Sequence, residues 1–164
     1  MKRVVADASA LAAVIFGEVS GAEISVQLHG ATVFAPTLLR YELQSVARKK
    51  CLKYPDRTRE TLEALDRALD ARAGITWMDP NAVDVVLVAK ATGLSTYDAS
   101  YLWLAGYLEA ELVTCDGALS AALDLLSHAA TACPDAQPPD LTRGVTVTSE
   151  PGGAAVSRCA PCSR

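Results

Sequence analysis

The sequence predicts an α/β fold, in which one three-layer domain has a central, mainly parallel sheet of four to five strands flanked by helices. Short apolar runs of strand length alternate along the chain with longer segments of helical pattern. Parallel strands need crossover connections, and these are most often helices. At 164 residues, the chain is long enough for one domain with a real core and too short for two of ordinary size. We expect this domain to span residues 1–149.

The first half of the chain alternates strands with helices that carry capping residues and glycine stops. An apolar run precedes Asp7, and the Ala- and Leu-rich stretch after it has a helical pattern, so Asp7 lies at a strand-to-helix junction. The later elements are bounded in the same way. In order, the expected elements are a strand over 3–6, a helix after Asp7, a helix over 21–29 between Ser20 and Gly30, the strand ATVFAP, a helix from Thr37 to about 52, and a helix over 57–73 with Leu62, Leu65 and Leu69 on one stripe before Gly74.

The second half repeats this alternation and then loses it. Asp79 and Pro80 form a cap and first-turn pair, and Gly93 is a stop signal. The expected elements are the strand ITWM, a helix from Pro80 to Gly93, a helix over 97–109 capped by Ser95 or Thr96, the strand ELVTC, a helix from Gly117 to about 130, and an edge strand over 144–149. Residues 150–164 have no periodicity, and we expect a disordered tail there.

Composition excludes several classes of protein. With 51% hydrophobic and 21% charged residues, the chain is ordinary globular material. No apolar stretch approaches the roughly 18–20 residues of a membrane span, and the first acid comes too early for a signal peptide, so we expect a cytoplasmic protein. Five cysteines do not suggest a disulfide framework, although Cys51 and Cys115 have the pattern of buried thiols. CAPC at 159–162 lacks a second ligand pair, so we assign it no metal or redox role.

Four acidic residues are predicted to meet at one edge of the sheet. Asp7 and Asp116 each end a predicted strand, and ligands of parallel sheets bind beyond the carboxyl ends of strands. Glu42 lies within the apolar stripe of the helix after the second strand. Asp98 lies near the amino end of its helix, which also points to this edge.

Each acid also has an ordinary structural explanation. Asp7 and Asp116 are good helix caps, and Asp98 is an acid favoured by the helix dipole in a first turn. Glu42 is harder to explain, because a carboxylate on an apolar stripe needs a partner or a shifted pKa. It could extend to the edge of the stripe, or pair with Arg40 or Arg48.

Clustered carboxylates repel one another unless a cation lies among them. Oxygen ligands without His or thiolate favour Mg²⁺ or Mn²⁺, and such ions hold carboxylates, waters and substrate phosphates. The chemistry implied is phosphodiester hydrolysis by a water that the metal activates. Ser9 and Thr114 each lie two residues from one of the strand-ending acids, and their hydroxyls could orient ligands or cap a turn.

Four blocks of sequence resemble the PIN-domain nucleases, most closely the VapC-type toxins of bacterial toxin-antitoxin pairs. The resemblance covers residues 3–130, with the strand near 145 included. The four blocks are VVADASAL, APTLLRYELQSVARK, GLSTYDASYLWLA and LVTCDGAL, in that order.

This resemblance implies a PIN-like fold and a Mg²⁺- or Mn²⁺-dependent endoribonuclease, normally a homodimer, inhibited by a cognate antitoxin whose carboxyl-terminal segment covers the acidic site. The family's acids correspond to Asp7, Glu42, Asp98 and Asp116, with Ser9 at one of its usual hydroxyl positions and Thr114 at the other. The chain departs from many members in lacking an acid or amide over 117–123, which implies that a second metal binds weakly or only with RNA present.

A net charge of −4 gives no general attraction to nucleic acid. Any nucleic-acid partner must therefore be bound by a local basic patch or by metal ions. Basic residues are dense over 48–59, and we take Arg48, Lys49, Lys50 and Lys53 as weak candidates for RNA contact. The aromatic residues of the helix over 97–109 are expected mostly to pack or to form a dimer face. Two other functions stay open: a non-catalytic module that binds a basic peptide, and a DNA-directed nuclease of the same chemistry.

Overall fold

The computed structural model describes residues 2–123 and contains a parallel sheet of four strands in the order β3-β2-β1-β4. The strands are β1 (Arg3–Ala6), β2 (Thr32–Ala35), β3 (Ile75–Trp77) and β4 (Glu111–Val113). β1 has a neighbour on both sides, with Val5 opposite Phe34 of β2 and Leu112 of β4. All pairings in this sheet are parallel, which confirms the predicted fold class.

Helices provide the connections between these strands. They are α1 (Ala8–Ile15), α2 (Gly21–Leu28), α3 (Leu38–Lys53), α4 (Thr58–Leu69), α5 (Ala82–Thr92), α6 (Thr96–Leu108) and the described part of α7 over 117–123, with short 3-10 turns at Pro55–Arg57 and Ala71–Ala73. α1 packs on α2, α3 on α4, and α5 on α6.

Apolar residues of β1 pack on both faces of the sheet. Val4 and Val5 are both fully buried, and successive strand residues point to opposite faces. Val4 packs in a cluster with Ile24 of α2, whereas Val5 belongs to the larger cluster that contains Leu39 of α3 and Leu104 of α6. Helices therefore cover both faces, and the carboxyl ends of the strands form the open edge.

Several local predictions are wrong in detail. Asp79 does not cap α5: its Oδ1 accepts hydrogen bonds from the backbone N–H and the hydroxyl of Thr37, both at 2.7 Å. Asn81 is the N-cap of α5 instead, accepting from the N–H groups of Val83 and Asp84. The predicted helix over 57–73 is shorter, because Thr58–Leu69 is α-helical and a separate 3-10 turn follows.

The apolar stripe of α4 is also narrower than predicted. Leu65 and Leu69 pack against the core, whereas Leu62 is 51% exposed. The glycine stops are confirmed, since Gly74 has a φ of 78° and Gly93 a φ of 74°, in the left-handed region that glycine adopts without strain.

The rest of the chain lies outside the described residues. This holds for the end of α7, the edge strand predicted over 144–149, the domain boundary at 149, the CAPC segment and the tail over 150–164. Within residues 2–123, the helices are all too short or too polar to cross a membrane.

Candidate metal and active site

Asp7 lies at the end of β1, where the chain turns into α1. Its backbone N–H still donates to the carbonyl oxygen of Val113 in β4, so the strand pairing continues up to this residue. Its side chain is only 6% exposed and caps α1, with Oδ1 accepting from the N–H of Ala10 at 2.8 Å. The capping role predicted from the sequence is therefore present, and it fixes the direction of the carboxylate.

Two hydroxyl groups complete the surroundings of Asp7. The hydroxyl of Ser9 lies 2.8 Å from Oδ1 and 2.9 Å from Oδ2 of Asp7, and the hydroxyl of Thr114 donates to Oδ2 at 2.8 Å. Ser9 also accepts from the N–H of Cys115 at 2.8 Å, and Thr114 accepts from the N–H of Asp116 at 2.9 Å. The loop after β4 is thus tied to Asp7 by side-chain hydrogen bonds.

Asp116 is exposed and caps α7. Its Oδ1 accepts from the N–H of Ala118 at 2.8 Å and of Leu119 at 3.1 Å. Its other oxygen, Oδ2, has no hydrogen-bond partner among residues 2–123. Asp116 therefore combines a structural role with a free acceptor at the open edge of the sheet.

Glu42 is held by a tyrosine rather than by a base. The hydroxyl of Tyr101, on α6, donates to Oε2 of Glu42, on α3, at 2.5 Å. Tyr101 is only 1% exposed, so its ring is part of the core and its hydroxyl has a fixed position. Neither Arg40 nor Arg48 pairs with Glu42 in this structure, and the guanidinium of Arg40 instead lies over the ring of Trp77, 4.2 Å from its centroid.

Asp98 lies in the first turn of α6, as predicted. The hydroxyl of Ser95 donates to its Oδ2 at 2.6 Å, and the N–H of Asp98 donates back to the Ser95 oxygen at 3.2 Å. Ser95 is therefore the N-cap of α6, and its hydroxyl also fixes the Asp98 carboxylate. This leaves the carboxylate half-buried at the amino end of α6.

Electrostatic interactions connect the four acids. Burial raises the pKa of Asp7, with a smaller contribution from the charge of Asp116, although hydrogen bonds from Ala10, Thr114 and Ser9 oppose this rise. Burial also raises the pKa of Glu42 against the hydrogen bond from Tyr101, and the charges of Asp7 and Asp98 raise it further. The couplings therefore run from Asp116 through Asp7 and Glu42 to Asp98.

None of these four carboxylates forms an ion pair with Lys or Arg within residues 2–123. The donors are hard oxygens, which is the chemistry that Mg²⁺ and Mn²⁺ prefer, so the residues fit such an ion in kind. In the described part of the chain, however, no three acidic, His or Cys side chains are already arranged to hold a metal.

The four basic residues that are candidates for RNA contact have different surroundings. Lys50 forms an ion pair with Glu18, 2.7 Å between Nζ and Oε1, and Lys53 lies over the ring of Tyr54. Arg48 and Lys49 are both exposed, and only Lys49 lines a cleft that also contains Glu42.

The sequence did not reveal two features of this site. Tyr101 packs in the core, as expected for most aromatic residues of this helix, but the sequence does not predict its bond to Glu42. The available signal is its position three residues after Asp98, on the same face of α6. Cys115 is exposed rather than buried, because its backbone N–H, and not its side chain, turns inward to Ser9.

Comparisons with known proteins agree with this fold. The PIN domain model matches residues 4–123. The chain is similar to the crystal structure of PAE2754 from Pyrobaculum aerophilum, with a TM-score of 0.60 and 25% identity, over 79% of this chain and 90% of that one. No protein of curated function matches significantly. PIN domains are typically metal-dependent nucleases. By the extent of the family match, this chain belongs to the PIN domain family.

Proposed function

We propose that this protein is a metal-dependent endoribonuclease that hydrolyses RNA phosphodiester bonds with a metal-activated water, and that it is the toxin of a type II toxin-antitoxin pair. The observation that carries the proposal is that the four carboxylates of Asp7, Glu42, Asp98 and Asp116 have no basic partner among residues 2–123, although Asp7 is buried and Glu42 and Asp98 are half-buried. Burying uncompensated negative charge is costly, and a divalent cation removes that cost.

The four acids have different parts in this proposal. Asp7 and Asp116 hold a Mg²⁺ or Mn²⁺ ion directly, and Glu42 and Asp98 act partly through water. When bound, the ion lowers the pKa of a water molecule and neutralises charge that develops on the phosphate. Asp7 is kept in place for this by Ala10, and Tyr101 keeps Glu42 from turning away.

The hydroxyls of Ser9 and Thr114 orient Asp7. Both are already bonded to its carboxylate, and both also accept from backbone N–H groups of the loop after β4. Because the segment 117–123, GALSAAL, has no acid or amide, a second ion binds weakly or only together with RNA.

The biological setting rests on the resemblance to the VapC-type toxins. The substrate is RNA in the cytoplasm, and a cognate antitoxin inhibits the enzyme by covering the acidic site with its carboxyl-terminal segment. The enzyme is a homodimer, and exposed apolar residues on α5 support an interface: Val83 is 68% exposed, Val86 56% and Leu87 59%.

Replacing Asp7 with Asn tests the proposal. Asn keeps the shape and the capping acceptor but removes the charge, so we expect Asp7→Asn to fold and to lose about 10³-fold or more of its Mg²⁺-dependent RNA cleavage. Cleavage is measured on labelled RNA, with folding checked by circular dichroism. Expression in bacteria should arrest growth, and both Asp7→Asn and coexpression of the adjacent reading frame should relieve the arrest. Cleavage by Asp7→Asn at the parent rate would contradict the assignment.

The same assay separates the two other functions. A non-catalytic binding module would protect RNA without shortening it, whatever metal is added. A DNA-directed nuclease would cut single-stranded DNA in preference to single-stranded RNA at equal salt.

A further inference from the structure

A cleft opens directly beside the acidic site. It has a volume of about 540 Å³ and lies between the side of α3 and the amino end of α6. Its lining includes Glu42 itself, together with Tyr41, Ser45, Lys49 and Tyr97. The cleft is therefore continuous with the carboxylates that we propose act on the phosphodiester.

Helix geometry explains why these residues share one cleft. Glu42, Ser45 and Lys49 follow a spacing of three and four residues, which places them on one face of α3. Tyr97 precedes Asp98 in the first turn of α6, so it lies next to another of the four acids. The cleft thus extends from the acidic site along α3 towards its basic end.

Two aromatic rings that line this cleft are exposed. Tyr41 is 71% exposed and Tyr97 is 65% exposed, whereas Tyr101 and Trp103 of the same α6 are buried. Single exposed tyrosines are common on protein surfaces, but these two line the same cleft beside Glu42. Such a pair of rings suits a planar ligand, because every nucleobase presents a stacking face.

The cleft also carries a cation in a suitable place. Lys49 is exposed and forms no ion pair within residues 2–123. The next residue, Lys50, is turned away by the helix and is neutralised by Glu18. Lys49 is therefore the basic residue of this run that can meet a phosphate in the cleft.

We infer that this cleft is a subsite for the nucleotide next to the scissile phosphate, an inference that rests on the proposed ribonuclease function. Tyr41 and Tyr97 stack on an unpaired base, and Lys49 binds the phosphate of that nucleotide. The enzyme then selects RNA whose bases are free at the cut, because a base inside a duplex is already stacked and cannot enter. Aromatic rings, a single cation and adjacent acids match an RNA strand better than an apolar peptide, which would leave Lys49 and Glu42 without partners.

The test measures binding separately from cleavage. Affinity of the full chain for a fluorescent oligouridylate of about eight nucleotides is read by anisotropy, once in EDTA and once in Ca²⁺. Tyr97→Ala and Tyr41→Ala should each weaken binding by roughly 5- to 100-fold, as loss of a stacked base does, and the Phe variants should restore it. Lys49→Gln should reduce the dependence of log affinity on log salt by about 0.7, which is one phosphate contact to a single strand.

Matched controls separate this subsite from general effects. Tyr54→Ala removes an exposed ring from a different groove, and Lys90→Gln removes an exposed cation from α5; neither should change affinity beyond twofold. An oligonucleotide of the same length without bases, and a blunt RNA duplex, should bind the parent and the Tyr97→Ala variant equally. Cleavage in Mg²⁺ is recorded in parallel, so that absence of turnover counts against the nuclease alone while the binding results still judge the subsite.

Three results would overturn the inference. The first is equal affinity of the parent and the two Ala variants in both buffers, and the second is absence of binding by the parent in both. The third is a loss of affinity that follows loss of the dimer in light scattering, since the tyrosines would then belong to an interface between two copies of this chain.

Discussion

Two groups of acidic residues in this protein have opposite surroundings. On α4 and just before it, Glu60 pairs with Arg57 and Glu63 with Arg59, each at 2.8 Å. At the carboxyl edge of the sheet, Asp7 and Glu42 have only hydroxyl and backbone donors and lie near other acids. The pKa of Glu60 is lowered by its hydrogen bond with Arg57, whereas burial raises the pKa of Glu42.

The difference separates acids that form ordinary surface ion pairs from an acid that is buried at a cost in stability. The pairs around α4 are at the surface, where an ion pair contributes little and is easily replaced. Asp7 is buried without a compensating cation, which lowers the stability of the metal-free protein. Residues that oppose folding are expected where function requires them.

The largest expected effect is a loss of cleavage when Glu is replaced by Gln at the acidic edge of the sheet, and the same replacement near α4 is its control. Glu42→Gln keeps an acceptor for Tyr101 but removes the charge, and we expect it to reduce Mg²⁺-dependent cleavage by about 10³-fold. Glu60→Gln breaks only an exposed pair with Arg57, and we expect parental cleavage and an unchanged melting temperature. Rates on labelled RNA and thermal melts measure both. Equal effects of the two substitutions would remove the distinction between the groups.

A smaller effect is expected from the partner of Glu42. Tyr101→Phe leaves the buried ring in place but removes the hydroxyl that donates to Oε2. Groups that orient a metal ligand typically contribute 10- to 100-fold, so we expect the metal affinity to fall by about that factor, with normal melting in EDTA. Titration of Mn²⁺ followed by calorimetry measures the affinity. An unchanged affinity would show that Glu42 needs no orientation, or does not bind metal.

The smallest expected effect is a pH dependence of the melting temperature, which should differ between protein without metal and protein with Mg²⁺. Because the folded pKa of Asp7 is raised, the folded state holds its proton at a pH where the unfolded chain has lost it, and stability falls as pH rises through that window. Without metal, Asp7→Asn should therefore melt a few degrees above the parent at pH 7.5, with a smaller difference near pH 4.5.

Magnesium should reverse this order. A ligand present at 100 times its dissociation constant adds about 2.7 kcal/mol to the parent, and the Asn variant should not receive this stabilisation. Differential scanning fluorimetry over pH, with EDTA or with Mg²⁺, measures both parts. If Mg²⁺ stabilises both proteins equally, the ion does not bind through Asp7.

The sequence alone predicted the features of this fold that depend on local pattern. The strand before Asp7, the helix after it, the glycine stop at Gly93 and the cap at Ser95 depend on neighbouring residues, and they are confirmed. The position of Asp7 at the open edge follows from strand direction once the sheet is parallel.

Contacts between distant segments could not be predicted in this way. Glu42 and Tyr101 are 59 positions apart, and Thr37 and Asp79 are 42 apart. Asp79 resembled a helix cap because Pro80 follows it, but its oxygen is used by Thr37 across the fold. Periodicity says which face of a helix is buried, and it does not say which polar group meets which.

The hydroxyl of Ser9 joins the carboxylate of Asp7 to the loop after β4. Its oxygen lies 2.8 Å from Oδ1 and 2.9 Å from Oδ2 of Asp7, and the N–H of Cys115 holds that oxygen in place. Turning that hydroxyl clears an approach to the carboxylate without moving the backbone. We therefore expect binding of the proposed ion at Asp7 to need only a rotation of this hydroxyl, and to be fast compared with unfolding.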